Sequence, residues 1–109
     1  MDWAGDKPLT VKARITLLPT DEGGKQKPIT KHYRPNHNFG DSSNRHFFIG
    51  QVELDENEWM HPGETRELSI TFLNVKGLVE KLQPGVKWRM QEGGKLVGTA
   101  EVVELLNET

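Results

Sequence analysis

The chain has 109 residues, with 14 Lys and Arg against 16 Asp and Glu, and it contains no cysteine. This length predicts one domain, and the charge balance excludes the strong basic excess of a dedicated nucleic-acid binder. Without cysteine there is no disulfide, thiolate metal site or cysteine nucleophile. No apolar run reaches the ~18 residues of a membrane span, and the first residues lack the pattern of a signal peptide. We therefore expect a cytoplasmic protein without membrane association.

Alternation of apolar and polar residues, which is typical of half-buried strands, dominates the chain. In chain order it predicts a strand at 11–17, a weaker one at 33–39, and a third at 47–54 with Phe48, Val52 and Leu54 on one face. Further strands are predicted at 68–72, 86–90 and 97–106. The only helical pattern is a single turn at 78–82, because Pro84 and Gly85 follow it.

Turn signals separate these segments, with 11 glycines and 6 prolines placed mostly between them. Short strands with frequent turns predict an all-β fold, and a closed barrel leaves few exposed edges. We therefore predict a six-stranded antiparallel β-barrel over residues 9–107. Residues 1–8 are expected to form a flexible N-terminal lead, and residues 108–109 a frayed end.

Charge is unevenly distributed along the chain. Residues 25–50 carry five Lys and Arg against Asp41 alone, whereas residues 51–67 carry six Asp and Glu against Arg66 alone. Two interpretations stay open at this point. The charges belong to solvated loops and edges, or the basic segment forms a patch for a phosphate backbone or an acidic partner.

Catalytic and cofactor chemistry finds no support in the pattern. The four histidines, which are His32, His37, His46 and His61, have no recognised metal-ligand spacing, so we expect exposed loop histidines and no metal. Lys25 is followed by Gln26 rather than Ser or Thr, and no helix follows, so a phosphate loop is excluded. No nucleophile motif is present. We predict a protein that is not an enzyme and has no cofactor.

The tetrapeptide Glu-Gly-Gly-Lys occurs twice, at 22–25 and at 92–95. Glycine supplies the positive φ that tight turns need, so both copies predict hairpin turns. Each turn places a lysine, Lys25 or Lys95, beside free backbone N–H groups. The pair could attract an anion if the two turns lie close together.

The aromatic residues differ in their contexts. Trp88 alternates into a predicted strand, which indicates a core position. Trp59 lies among polar residues before Pro62, so it is either a surface anchor for a partner or packs under its loop. Phe47 and Phe48 are consecutive, so only one of them can face the core. The Ser-, Asn- and Gly-rich residues before them predict a mobile loop.

An ordered set of motifs resembles one protein family. The set is 21–25 (Asp-Glu-Gly-Gly-Lys), 33–35 (Tyr-Arg-Pro) with Phe39, 50–54 (Gly-Gln-Val-Glu-Leu), 60–64 (Met-His-Pro-Gly-Glu) and 91–98 (Gln-Glu-Gly-Gly-Lys-Leu-Val-Gly). In this order they resemble the C-terminal domain of bacterial elongation factor Tu, over about residues 11–106. That domain is a six-stranded antiparallel barrel, as the strand pattern also predicts.

The resemblance implies a role in translation. In the family this barrel contacts the T-stem of aminoacyl-tRNA, the GTPase domain and the exchange factor. This chain has no phosphate loop and no Asn-Lys-x-Asp motif, so we expect no nucleotide binding. Lys25 stands where the family has Arg, Asn36 where it has Gln, and residues 40–49 replace a shorter family segment. The candidate RNA contacts, from the resemblance and the basic segment, are Lys25, Lys27, Arg34, Asn36, Arg45 and Lys95.

Two functions follow from these observations. The first is a monomeric, non-enzymatic module like the elongation factor Tu barrel that contacts tRNA, other RNA or translation factors. Because few cations are available, any RNA binding would be weak and salt-dependent. The alternative is a protein-interaction module, or a mimic of the factor, that binds no RNA and uses Phe47 and Trp59 as contact residues.

Overall fold

A computed structural model describes residues 7–107 of the chain. Apart from Lys7 and Pro8, the predicted N-terminal lead lies outside the described residues, as does the predicted frayed end at 108–109. Six strands form a closed antiparallel barrel in the order β1-β4-β3-β2-β5-β6, which confirms the predicted fold class. The strands are β1 (Leu9–Leu17), β2 (Asn36–Asn38), β3 (Phe48–Val52), β4 (Thr65–Phe72), β5 (Lys87–Glu92) and β6 (Lys95–Asn107).

Strand β1 shows most clearly how the sequence produces the barrel. Its odd-numbered residues are buried, and the residues between them are exposed or half-buried. It pairs with β4 on one side and with β6 on the other, so that Ala13 lies opposite both Leu68 and Val102. A strand with two hydrogen-bonded neighbours has no free edge, and its apolar face is covered by the rest of the barrel.

The barrel interior is filled by apolar side chains from β1, β3, β4, β5 and β6, and it includes a cluster of aromatic rings. Phe39 stacks on Trp88 with 4.8 Å between ring centroids, and Phe72 approaches both rings edge-on or tilted. Trp88 is buried, as its alternation predicts. Close packing of such large side chains is a main source of barrel stability.

His37 is the exception to the expected exposed histidines, because it belongs to this interior cluster and is completely buried. It lies on β2 between Phe48 of β3 and Met90 of β5 in the strand register. Burial lowers the pKa of His37 to about 4, despite the opposing hydrogen bond to the Gly50 carbonyl. The expectation of a loop position was wrong because a ring that finds two hydrogen-bond partners can be buried at little cost.

The predicted helical turn at 78–82 is a short 3-10 turn, Val79–Lys81, whose flanking residues Leu78 and Leu82 are buried in the core. A second 3-10 turn, Thr20–Glu22, follows β1. Within residues 7–107, none of the helices has the length and apolar character needed to cross a membrane.

Candidate functional site

The two Glu-Gly-Gly-Lys turns have different backbone structures. The second copy is the two-residue hairpin between β5 and β6, with Glu92 paired to Lys95 and Gly93 at φ 59°. This hairpin was predicted. The first copy is not a hairpin, which corrects the prediction, because β1 pairs with β4 and β6 rather than with the next strand in sequence. Instead it completes the 3-10 turn after β1, which ends at Gly23.

The two turns meet through an ion pair. Nζ of Lys25 lies 2.6 Å from Oε2 of Glu92, and the hydroxyl of Tyr33 donates to the same oxygen over 2.7 Å. Nζ of Lys25 also lies 5.4 Å from the centroid of the Tyr33 ring. We define Lys25, Tyr33, Glu92 and Lys95 as the turn cluster. Its anion position is filled by a carboxylate of the chain itself.

The titration behaviour of the turn cluster follows from these contacts. Burial alone raises the pKa of Glu92, but the hydrogen bonds from Lys25 and Tyr33 outweigh it and hold that pKa below its ordinary value. Burial, together with the hydrogen bond to the Glu92 carboxylate and its charge, raises the pKa of the Tyr33 phenol. Both shifts favour the ionised Glu92 with a neutral Tyr33 beside it. At neutral pH the charges of Lys25 and Glu92 therefore balance each other, and Tyr33 donates to the same carboxylate.

The other candidate RNA contacts are distributed around this cluster and beyond it. Asn36 pairs with Gln91, the residue before Glu92, so it lies near the turn cluster, and Lys27 is exposed in the loop after the first turn. Arg34 donates from Nε to the side-chain oxygen of Gln51 over 3.0 Å. The structure thus gathers Lys25, Asn36 and Lys95 at one end of the barrel.

Arg45 belongs to a different region, the loop between β2 and β3. Its Nη1 donates to the carbonyl oxygens of Ser42 and Asn44 at 3.0 and 3.3 Å. The Asn44 amide donates to Asn38 Oδ1 and to the His46 carbonyl, at 2.7 and 2.8 Å. The loop that composition predicts to be mobile is therefore tied to β2 by its own side chains.

A shallow groove opens beside this loop. Phe48 points into the core, whereas Phe47 is half-buried and Ile49 is 48% exposed, as alternation predicts for consecutive phenylalanines. The groove has a volume of about 260 Å³. We call it the β3 groove, and its lining consists of His46, Phe47, Phe48, Ile49, Leu73, Val75 and Lys76. Its floor is apolar, and its ionisable residues are a histidine and a lysine.

Trp59 lies in the acidic segment and is 52% exposed, so it does not pack under its loop. The segment is held by Arg66, whose guanidinium donates to the Trp59 carbonyl over 2.9 Å and pairs with Glu64 at 3.1 Å and Glu58 at 3.5 Å. Hydrogen bonds from the backbone and side chain of His61, and then from Arg66, hold the pKa of Glu64 below its ordinary value. These acidic residues serve first to fix their own loop.

Metal chemistry receives no geometric support from residues 7–107, where no group of three or more His, Cys, Asp or Glu side chains is placed to hold an ion. His32, His46 and His61 are exposed on separate loops, and His37 is in the core.

Several functional candidates escaped the sequence reasoning. The sequence pattern did not predict that Glu92 pairs with Lys25 or that Tyr33 donates to Glu92, although each copy of the tetrapeptide contains an acid and a lysine. Ile49 is not among the predicted contact residues, although alternation with Phe48 places its side chain outward. No sequence pattern predicts that Val75 and Lys76 line the groove, because they come from a loop that is distant in sequence.

No protein-family model matches the chain.

Proposed function

We propose that this chain is a non-enzymatic binding module of the elongation factor Tu C-terminal barrel type, and that it contacts a protein of the bacterial translation apparatus in the cytoplasm. The ordered motif set described above supports the family relation, and a six-stranded antiparallel barrel agrees with it. The family uses its barrel surface for protein contacts as well as for tRNA. The barrel of this chain can use the same kind of surface.

The observation that carries the protein-binding proposal is the β3 groove. Ile49 is 48% exposed on β3, and it adjoins Phe47, Leu73 and Val75 in one continuous lining. Contiguous exposed apolar side chains bordered by polar ones are typical of interaction sites. By contrast, three of the candidate RNA contacts already donate hydrogen bonds to acceptors within the chain, and these are Lys25, Arg34 and Arg45.

RNA is the second candidate ligand, and one observation favours it. His46 and Phe47 place aromatic rings beside Lys76 in the β3 groove. Aromatic rings next to a cation can stack a base while the cation meets a phosphate. Lys27 and Lys95 add exposed positive charge elsewhere on the barrel. Binding of this kind would be weak and would fall with salt concentration.

A pair of matched variants tests the protein-binding proposal. Ile49→Asp places a charge in the groove, and Leu106→Asp makes the same change at a side chain that is 46% exposed on β6. Tagged wild-type chain and both variants are incubated with bacterial lysate, with and without RNase, and captured proteins are identified by mass spectrometry. Far-UV circular dichroism verifies folding.

We expect the wild type and Leu106→Asp to capture the same translation factor or ribosomal protein, whether or not RNase is present. Ile49→Asp should reduce that capture at least tenfold, since a buried interface charge without a partner costs more than about 1.4 kcal/mol. Equal capture by all three chains would contradict the groove as the contact site. Capture that disappears with RNase would favour RNA as the ligand.

A further inference from the structure

The buried imidazole of His37 connects three strands of the barrel. Nε1 of Trp88 on β5 lies 2.9 Å from Nδ1 of His37, and Nε2 of His37 lies 3.0 Å from the carbonyl oxygen of Gly50 on β3. An indole nitrogen can only donate a hydrogen bond, so Nδ1 must accept it. The single ring proton therefore lies on Nε2 and is donated to Gly50. Both partners select the same neutral tautomer.

The rest of the imidazole surface is covered by apolar groups. Phe72 of β4 meets it edge-on with 4.8 Å between ring centroids, and Phe48 and Met90 are its neighbours in the strand register. Neither β2 nor β3 carries a charged residue. The charged residues of β4 and β5 occupy exposed or half-buried positions, and they are Arg66, Glu67, Lys87, Arg89 and Glu92. On these four strands no carboxylate is placed to balance an imidazolium.

Protonation would break this arrangement in two ways. A proton on Nδ1 would face the Trp88 indole N–H across 2.9 Å, so that two donors would oppose each other. The new charge would also lie among Phe72, Phe48 and Met90 without a counter-ion, where an isolated charge is strongly disfavoured.

Strand β2 depends on these two side-chain bonds more than a long strand would. It has only three residues, Asn36–Asn38, and pairs with β3 through two of them, Asn36 and His37. We propose that His37 is an acid-sensitive latch, which ties β2 to β3 and β5 in its neutral form and releases them when it is protonated. Release would expose Trp88 and the adjacent end of the β3 groove, which Phe48 lines.

The direction of the pH dependence follows from burial. The pKa of His37 is lowered from 6.5 to about 4, chiefly by burial, so the unfolded chain takes up the proton first. The stabilisation from the neutral ring is complete above about pH 6.5 and is lost progressively as the pH falls towards 4. These two values predict that the equilibrium constant for unfolding rises about 20-fold between pH 7 and pH 5.

The test compares urea denaturation at pH 7 and pH 5 for three chains. His37→Gln keeps one acceptor and one donor on its side chain but cannot be protonated. His32→Asn is the control, because His32 is exposed and has φ 73°, a conformation that Asn tolerates. Wild type and His32→Asn should show the 20-fold rise, and His37→Gln should show less than about a threefold change. A wild-type pH dependence in His37→Gln would overturn the latch.

A second measurement needs no variant, so it applies even if His37→Gln does not fold. Nitrogen NMR of the wild-type histidines reports which ring nitrogen carries the proton. At neutral pH, Nδ1 of His37 should be unprotonated and Nε2 protonated. On acidification the ring should become charged only as the indole N–H signal of Trp88 reports loss of its hydrogen bond and exchange with water. Protonation of His37 near pH 6.5 in an otherwise unchanged barrel would contradict the proposal.

Discussion

The tetrapeptide Glu-Gly-Gly-Lys forms two different structures at one end of this barrel. At 22–25 it closes a 3-10 turn against the backbone that leaves β1, and at 92–95 it forms an open two-residue hairpin between β5 and β6. Gly24 is packed against the carbonyl groups of Leu18 and Pro19, whereas Gly94 has no neighbouring atom where a side chain would begin. The same four residues therefore form a tight turn with one buried glycine, Gly24, in the first copy and an exposed hairpin turn in the second.

The lysines differ as much as the glycines. The side chain of Lys25 is 20% exposed and is held by Glu92 from the other copy, whereas Lys95 is exposed beside that same carboxylate. Identical local sequence thus gives one half-buried lysine in an ion pair and one exposed lysine, because the surrounding strands pack differently against the two turns. A lysine in a basic segment is not by that fact available to a ligand.

The largest expected difference between the turns concerns their second glycines. In Gly24→Ala the new Cβ would clash with the carbonyl groups of Leu18 and Pro19, which are backbone atoms that cannot move aside locally. We expect a loss of about 3 kcal/mol in the free energy of unfolding. Gly94→Ala, which meets nothing within 4 Å, should change it by less than about 1 kcal/mol. Urea denaturation measures both, and equal effects would show that the corner at Gly24 is not tightly packed.

The glutamates give a second, smaller contrast. Glu92→Gln removes the carboxylate that both Lys25 and Tyr33 contact, and the matched change Glu22→Gln lies at an exposed position. We expect a loss of about 1 kcal/mol for the first and almost none for the second, because surface ion pairs contribute little unless other hydrogen bonds join them.

The pH dependence of the Glu92→Gln effect provides an independent check. The pKa of Glu92 is held below its ordinary value in the barrel, so its contribution is present at neutral pH and lost as the pH falls through that lowered pKa. The difference between wild type and Glu92→Gln should therefore shrink in acid. A difference that grows on acidification would mean that Glu92 is not stabilised as the carboxylate.

The fold was predictable because most strands are half-buried and long. β1, β4 and β5 each carry a clear alternation, and their predicted ranges match the observed strands to within three residues. β2 was the weak prediction, at 33–39, and only Asn36–Asn38 form the strand. Its pairing depends on His37 and on residues far along the chain, which no local pattern contains.

The candidate site was less predictable for the same reason. Ile49 could be placed outward by alternation, but the groove exists only because Leu73, Val75 and Lys76 are brought beside it. The partner of Lys25 lies 67 residues away in sequence, at Glu92. The sequence therefore shows where charged residues cluster along the chain. Which of them form ion pairs is decided by the order of the strands in the barrel.

The smallest expected effect concerns RNA, the second candidate ligand. The affinity for bulk tRNA is measured by fluorescence anisotropy over a range of salt concentrations. Lys95→Ala should lower the slope of log affinity against log salt by about 0.7–0.9, the value for one lost phosphate contact. Lys25→Ala should leave the slope unchanged, because Glu92 already holds that ammonium group. A larger change for Lys25→Ala would mean that RNA displaces Glu92 and contacts Lys25 directly.

Amide hydrogen exchange of the chain, alone and in the complex recovered from lysate, tests most directly where the barrel binds. If the β3 groove is the contact, exchange should slow in β3 (Phe48–Val52) and around Val75 and Lys76. The two Glu-Gly-Gly-Lys turns, at 22–25 and 92–95, should exchange at the same rate in both samples. Slower exchange at the two turns, with no change in β3, would contradict binding through the groove.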